Sequence, residues 1–457
     1  MKYLLSIWIL LWVSILPAQN LRRQAMMGIQ PQAIDAVSAK AIGLETSGIL
    51  LLQVFPNSTA SALGLEPNDI LLSINQQSLT DMQALMSALQ GMRAGDKVEV
   101  EAFRDGKTLK LSGEMMPRPQ EQIPGAEVRY EEVAFMGGHL RAFVSKPKGE
   151  GPFPTIYFIQ GYPCQTVELL NPIHPYKQMI DGLVGKGYAV FRVEKLGMGD
   201  SEGTPDCMEI DFETELAAFR KGYEKLLSYS FVDEERVSIF GHSLGGLTAP
   251  LLAREYQPAN VMVYGVVLKN WEDYIVDMIR DQSAVFGQDY AQIEQDLMDL
   301  KPIMYGLYHE DKSPAVLAED PAYKALLEKH LEYREGDIYI NRHYRFWSTL
   351  NQYNITEAWK ETPSRVLAMY GEADIEALSK EGAESIARVV NHYHPGQADF
   401  KFIAETDHSF IKVGDIPTGW EIRQSGQYGQ YVQQAFNTDL VDLIDQWLRE
   451  GEVSSDG

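Results

Sequence analysis

The chain has 457 residues, room for two or three domains, and apolar and charged fractions ordinary for a soluble globular protein. Its formal net charge is −24 with no offsetting basic patch, which argues against nucleic acid as a partner. The acidity favours solubility and says little about substrate.

The N-terminus reads MKYLLSIWILLWVSILPAQN. Lys2 supplies a positive start, Leu4 to Leu16 an apolar run, and Pro17-Ala18-Gln19 a small-residue cleavage region. That is the pattern of a secretory signal peptide over residues 1–19. A retained membrane anchor is the alternative, but the run is short for a full span. No cysteine follows it, which argues against a lipid anchor, and no other segment reads as a membrane span. The expected localisation is exported, periplasmic or extracellular, with no integral membrane segment after cleavage. In such a compartment the two cysteines, Cys164 and Cys207, are an even pair able to bond.

Residues 20–116 form a first unit. Gly48–Val54 reads as a strand, Pro56-Asn57-Ser58 as a turn, and Ser58–Leu63 as a short helix stopped by Gly64. Asp81 caps a helix from Met82 to Leu89. DKVEVEAFRDGKTLKLSG alternates across a hairpin that turns at Asp105-Gly106. PRPQEQIPG, residues 117–125, is a proline-rich linker.

From 126 to 450 short apolar strands alternate with amphipathic helices, after an opening hairpin that turns at Gly137-Gly138. The pattern predicts an α/β domain with a mostly parallel sheet covered on both faces. An insertion at 270–362 is mostly helical and rich in aromatic residues, including Trp271, Tyr305, Tyr308, Tyr344, Trp347 and Tyr353. These line an apolar pocket or form the insertion's own core. Residues 451–457 read as a polar, disordered tail.

Two stretches fit G-x-S-x-G, the pattern of a hydrolase nucleophile turn: GDSEG at Gly199–Gly203 and GHSLG at Gly241–Gly245. That turn needs a strand running straight into it and a helix leaving at once. RVSIFGHSLGGLTAPLLAREY has both. GDSEG has neither, and Asp200 and Glu202 beside Ser201 would oppose an alkoxide. Ser243 is therefore the candidate nucleophile.

A serine nucleophile needs a base, and the base an orienting carboxylate, in the chain order Ser, acid, His. His408 follows the strand ADFKFI and is the candidate base. Asp374, just after the strand RVLAMYG, is the candidate acid, with Glu372 as runner-up. The structural alternative for Asp374 is a helix N-cap, and for His242 packing beside the turn. Two oxyanion donors are expected: the N–H of Leu244 at the start of the helix and the N–H of Tyr162 after the strand TIYFIQG. GMGDSEG lacks the spacing of a dinucleotide loop, and neither a metal cluster nor a phosphate-cradling loop is visible, so neither metal nor cofactor is expected.

Two resemblances follow from these residues. The first unit, most specifically PNSTASALGLEPNDILLSINQQSL, resembles a PDZ domain of the bacterial, protease-associated type. This implies a small α+β domain whose AMMGI loop, with Met26, Met27, Gly28 and Ile29, holds a peptide C-terminus. Pro31 departs from that pattern, since it lacks an N–H for an added strand. The alternative is a PDZ domain that only packs against its neighbour.

From about Val128 to Leu448 the chain resembles the α/β-hydrolase superfamily, within it the exported esterase and prolyl-oligopeptidase-like groups. Those groups commonly carry His-Gly in the oxyanion loop, where this chain has Gln160-Gly161. The resemblance implies an α/β-hydrolase fold with the insertion as a lid. Its sheet order places the loops holding Cys164 and Cys207 side by side, implying a Cys164–Cys207 disulfide. The expected function is an exported serine hydrolase acting through an acyl-enzyme. A carboxylic ester is the preferred substrate, because no peptide-sieving domain precedes the hydrolase unit. A peptidase or thioesterase on the same fold, or a non-catalytic envelope PDZ binding protein, are the other readings.

Overall fold

The computed structural model describes residues 21–455 apart from Ile42, Glu45 and Thr46. The expected signal peptide lies outside the described residues.

The N-terminal unit is an antiparallel sheet of β1 (Ile29–Ile34), β2 (Gly48–Val54), β3 (Ile70–Ile74), β4 (Lys97–Arg104) and β5 (Lys107–Glu114), in that spatial order. Alternate apolar residues of the strands, among them Ile49, Leu51, Leu71 and Val100, meet Leu85 of α1 (Met82–Leu89) in one core. The Asp81 carboxylate accepts the Ala84 N–H at 2.8 Å and starts that helix. Asp105 and Gly106 both adopt positive φ, 50° and 77°, as a tight hairpin turn between right-twisted strands requires. β1 is an edge strand, and its register shifts between Gln30 and Pro31, so the proline sits at a bulge.

Residues 117–125 connect the units but are not a loose tether. Ile123 is buried, and Glu121 pairs with Arg192 at 3.0 Å with both side chains fully enclosed. The burial of this segment depends on Arg192, far along the chain.

The second unit is built on eight strands: β6 (Ala126–Phe135), β7 (Gly138–Pro147), β8 (Phe153–Ile159), β9 (Ala189–Val193), β10 (Val232–His242), β11 (Asn260–Tyr264), β12 (Arg365–Gly371) and β13 (Ala398–Ile403). Their order is β13-β12-β11-β10-β8-β9-β7-β6. Strands β8 to β13 run parallel, and β6 and β7 join them antiparallel at one edge. This is the α/β-hydrolase arrangement. Along β8, Tyr157 and Ile159 face one core and Ile156 and Phe158 the other, the period of two expected of a sheet covered on both sides. On the second face, α2 (Pro175–Gly185) supplies Met179 and Leu183. On the first, α3 (Phe212–Leu227) supplies Phe219 and Tyr223, and α4 (Gly245–Tyr256) supplies Leu251 and Leu252.

The hairpin of β6 and β7 turns one residue earlier than expected. Met136 and Gly137 take the positive φ angles, and Gly138 already pairs with Phe135. Gly138 lies against the backbone of Glu202 and Gly203, so its lack of a side chain serves close approach rather than the turn.

The insertion contains α5 (Trp271–Val285), α6 (Tyr290–His309), α7 (Pro321–His330), a short hairpin of Ile338–Tyr339 with Arg342–His343, and α8 (Tyr344–Asn351). The hairpin was not expected; two residues per strand are too few for alternation to register. Trp271 stacks on Trp347 at 4.1 Å, and the Tyr308 and Tyr339 hydroxyls meet at 2.8 Å. Tyr344 is buried, Tyr353 packs on Phe212, and Tyr305 is exposed. Most of these aromatics therefore build the insertion's own core.

After β12 comes α9 (Glu381–Tyr393), and the chain ends in α10 (Asp439–Ser455). The helix continues past Glu450, into the segment expected to be a polar tail. Gly451 lies against the Arg365 side chain, which itself stacks over Trp447 at 4.2 Å, so the helix meets the sheet strand at Gly451. Asp456 and Gly457 lie outside the described residues.

Candidate active site

β10 runs directly into Ser243, which takes φ of 54° before α4 begins. Such a left-handed serine is strained and stands clear of the sheet. The glycines on either side make room: a Cβ on Gly245 would collide with the Ile159 carbonyl, and one on Gly241 with the Gly245 backbone. The Ser243 N–H is held by the Tyr264 carbonyl at 2.9 Å.

Asp374 and His408 meet beyond the ends of β12 and β13. The His408 Nδ1–H donates to the Asp374 carboxylate, with both oxygens at 2.9 Å. Asp374 also accepts the Ala377 N–H at 2.8 Å and is fully buried. It does not cap a helix, since α9 starts only at Glu381. Glu372, the runner-up, accepts the Glu405 N–H on the surface and does not approach His408. Asp407 shapes the histidine loop by accepting the N–H groups of Ser409 and Ile411 at 2.8 and 3.0 Å.

Burial alone would lower the His408 pKa. The adjoining Asp374 carboxylate, then Glu376 and Asp407, outweigh it and hold the imidazole at about 9. Glu376 is held above the usual carboxylate range by burial, although His408 and Arg423 oppose this. Donor atoms of Asp374, Glu376 and His408 lie within 4.8 Å of one another, a spacing that a metal ion can also use. Nδ1 is already committed to Asp374, so the contacts present suit proton handling.

Two features were not legible in the sequence. His242 does more than pack: its Nε2–H donates to the His408 carbonyl at 2.8 Å, and its Nδ1 accepts the Tyr176 hydroxyl at 2.6 Å. A carbonyl can only accept, so the tautomer follows. Burial keeps His242 neutral by pushing its pKa well down. Gly265, at the end of β11, lies where a Cβ would stand 2.7 Å from the His408 ring. A glycine after a buried strand was the available signal for it.

Ser243, His408, Tyr162, Leu244 and Glu376 line one cavity of about 380 Å³. Its other walls include Leu247, Val266, Val267, Trp271, Tyr274 and Met278. Of the six insertion aromatics named above, Trp271 alone lines it. Gly161 abuts the nucleophile, since a Cβ there would be 3.1 Å from the Ser243 Cβ. Tyr162 follows it directly. Gln160 turns inward and its Nε2–H donates to the Val193 carbonyl at 3.3 Å. Two residues past Tyr162, Cys164 is disulfide-bonded to Cys207.

GDSEG has a different setting. Ser201 is buried and its Oγ accepts the Arg141 N–H at 3.0 Å. The N-terminal unit docks on this loop. Arg23 pairs with Asp200 at 2.5 Å and with Glu168 at 2.6 Å, Gln24 donates to the Gly199 carbonyl, and Arg93 pairs with Glu202 at 2.8 Å.

The loop of Met26 to Ile29 follows these contacts. The Met26 N–H is taken by the Met116 carbonyl at 2.9 Å, while the Met26, Met27 and Gly28 carbonyls accept from Thr59, Ala60 and Phe55. Gly28 packs on Ser58 at positive φ, and Ile29 opens the edge strand β1. Among the described residues no helix is long and apolar enough to cross a membrane.

Residues 25–114 match the PDZ domain model, and residues 137–384 the model of the X-Pro dipeptidyl-peptidase (S15) family. Among curated proteins, the chain is 33% identical over 126 residues to a probable periplasmic serine endoprotease, DegP-like, of Marinomonas sp., covering 27% of each chain. It is 25% identical over 192 residues to esterase EstD of Thermotoga maritima, covering 40% of this chain and 46% of that one. The chain thus spans less than half the length of these relatives. Est1E of Butyrivibrio proteoclasticus, solved with ferulic acid, aligns at a TM-score of 0.42 and 14% identity over 66% of this chain and 98% of its own. The acylaminoacyl peptidase of Pyrococcus horikoshii aligns at 0.39 and 13% over 76% and 50%. With a family model covering more than half its length, on the sheet described above, the chain belongs to the X-Pro dipeptidyl-peptidase (S15) family and carries a PDZ domain ahead of its hydrolase unit.

Proposed function

We propose that this protein is an exported serine hydrolase, periplasmic or extracellular, that cleaves carboxylic esters through an acyl-enzyme. Ser243 Oγ attacks the ester carbonyl while His408 Nε2 takes its proton. Asp374 accepts the Nδ1–H and steadies the imidazolium that forms. The N–H groups of Leu244 and Tyr162 receive the oxyanion. The protonated His408 then gives its proton to the leaving alcohol, and water repeats the sequence to free the acid. The observation that carries this reading is that His408, paired with the buried Asp374, lines the same cavity as the strained Ser243. The cavity's mainly aliphatic and aromatic walls suit an apolar acyl group, and one relative bears the name esterase.

The domain plan belongs to this proposal: a signal peptide at 1–19, a PDZ module at 20–116, a linker at 117–125 and a hydrolase unit at 126–450. The PDZ module takes a peptide C-terminus or partner at Met26–Ile29 along the edge of β1.

A second reading, cleavage of short peptides, is favoured by one observation. Two carboxylates, Glu332 and Glu376, line the cavity and suit the ammonium of a free N-terminus. The family model's own name points the same way. A fluorophosphonate probe followed by a panel of acyl esters, thioesters and aminoacyl amides tests both. Labelling at Ser243 with ester turnover is expected. Absence of labelling, where a control esterase labels, would remove the hydrolase reading.

A further inference from the structure

A buried charged cluster lies behind the oxyanion loop. Lys195 just past β9, Glu215 on α3 and Arg342 in the insertion hairpin are each at most 2% exposed. The Lys195 ammonium donates to the carbonyls of Gly161 at 2.7 Å and Tyr162 at 2.9 Å, and stands 3.2 Å from Glu215. Arg342 donates to the Tyr162 carbonyl at 2.9 Å and to Glu215 at 2.7 Å. Two basic side chains face one carboxylate, so the cluster is net positive while Lys195 holds its proton.

The Gly161 carbonyl and the Tyr162 N–H belong to one planar peptide group and point in opposite directions. A donor that grips the carbonyl from behind therefore sets where the N–H points in front. On the Gly161 side stands Ser243. A positive charge on the carbonyl also draws electrons from the amide and makes its N–H a stronger donor. Core packing alone would not require an enclosed cation here, because burying charge is costly.

We propose that Lys195, supported by Arg342 from the insertion, is a positioning residue for the oxyanion hole, aiming and polarising the Tyr162 N–H. The proposal rests on the hydrolase reading of Ser243. Glu215 and Arg342 are the charged groups facing Lys195. Burial, opposed by Glu215 and reinforced by Arg342, draws its ammonium down to about 7.

The test uses full-length mature protein with 4-nitrophenyl butyrate and a trifluoromethyl ketone of matching acyl length. Lys195→Met should lower kcat roughly tenfold or more at unchanged KM, with the ketone's Ki rising in step. Lys195→Gln, which keeps a neutral donor, should lose less. A kcat within about twofold of wild type in both variants overturns the proposal. If wild type itself neither labels nor turns over, the hydrolase reading fails instead. A second measurement needs neither turnover nor a foldable Lys195 variant. In 15N-tyrosine-labelled wild type, with the peak assigned by Tyr162→Phe, the Tyr162 amide should shift as Lys195, bonded to the Gly161 and Tyr162 carbonyls, loses its proton below the ordinary lysine range, a step that persists in His408→Gln. A Tyr162 amide that shows no step of its own between about pH 5 and 11, once the His408 step is removed by His408→Gln, overturns the inference.

Discussion

Gly265 and His408 compete for the same space. A Cβ on Gly265 would stand 2.7 Å from both Nδ1 and Cε1 of the imidazole and 2.9 Å from an Asp374 oxygen, and Gly265 has φ of 67°. Gly265→Ala should lose about 1–2 kcal/mol of stability from the left-handed backbone. It should also lower kcat on the order of 100-fold by displacing the base. Ester kinetics alongside denaturant unfolding check this; a folded variant with wild-type kcat would contradict it.

The two G-x-S-x-G serines should separate cleanly. Ser243→Ala should abolish fluorophosphonate labelling. Ser201→Ala should keep it, because the Ser201 hydroxyl only braces the Arg141 N–H. Labelling that survives the first substitution assigns the nucleophile elsewhere.

His408 must be neutral to accept the serine proton, and the surrounding carboxylates hold it at about 9. The His408 limb of hydrolysis should therefore rise with pH towards about 9, offset by a loss of oxyanion polarisation as Lys195 gives up its proton at lower pH. Glu376→Gln removes a negative neighbour and should move that limb to lower pH. The linkage sign is also fixed. A folded pKa above the ordinary histidine value gives a stabilisation that is full below about 6.5 and lost as pH rises through the folded value. Melting curves of wild type and His408→Gln should converge at high pH; a gap that widens would oppose this.

Arg23 and Asp200 join the units with little exposure, 13% and 2%. Arg23→Ala leaves Asp200 with Arg141 at 3.1 Å but strips Glu168 of its closest cation. About 3 kcal/mol of stability should be lost, with faster proteolysis between 117 and 125. Unchanged cleavage there would mean that other contacts hold the interface.

The disulfide spans 43 residues. Replacing both cysteines by serine should cost about 4 kcal/mol if loop entropy dominates. It should also lower kcat more than it raises KM, since Cys164 anchors the loop carrying Tyr162. Denaturant titration and steady-state kinetics read both effects.

Period and punctuation made much of this molecule readable. Asp81 announced its helix and Asp105-Gly106 its hairpin, because caps and tight turns are decided by neighbours in the chain. The strand and helix flanking GHSLG singled out Ser243 over Ser201 for the same reason. Reading failed where a residue's role depends on a distant partner. The Met136 turn, the Gly451 contact of α10 and the buried Glu121 all answer to segments remote in sequence.

The amino-acid pattern determined the alternation of strands and helices and pointed to the candidate Ser, Asp and His, since each is written in local spacing. The folded chain alone decided that Gly265 makes room for His408, that Asp200 receives the PDZ unit, and that Lys195, Glu215 and Arg342 converge behind Tyr162. Those groups sit on separate strands, helices and loops. Only closing the sheet and laying the insertion over it brings their charges and volumes within contact range.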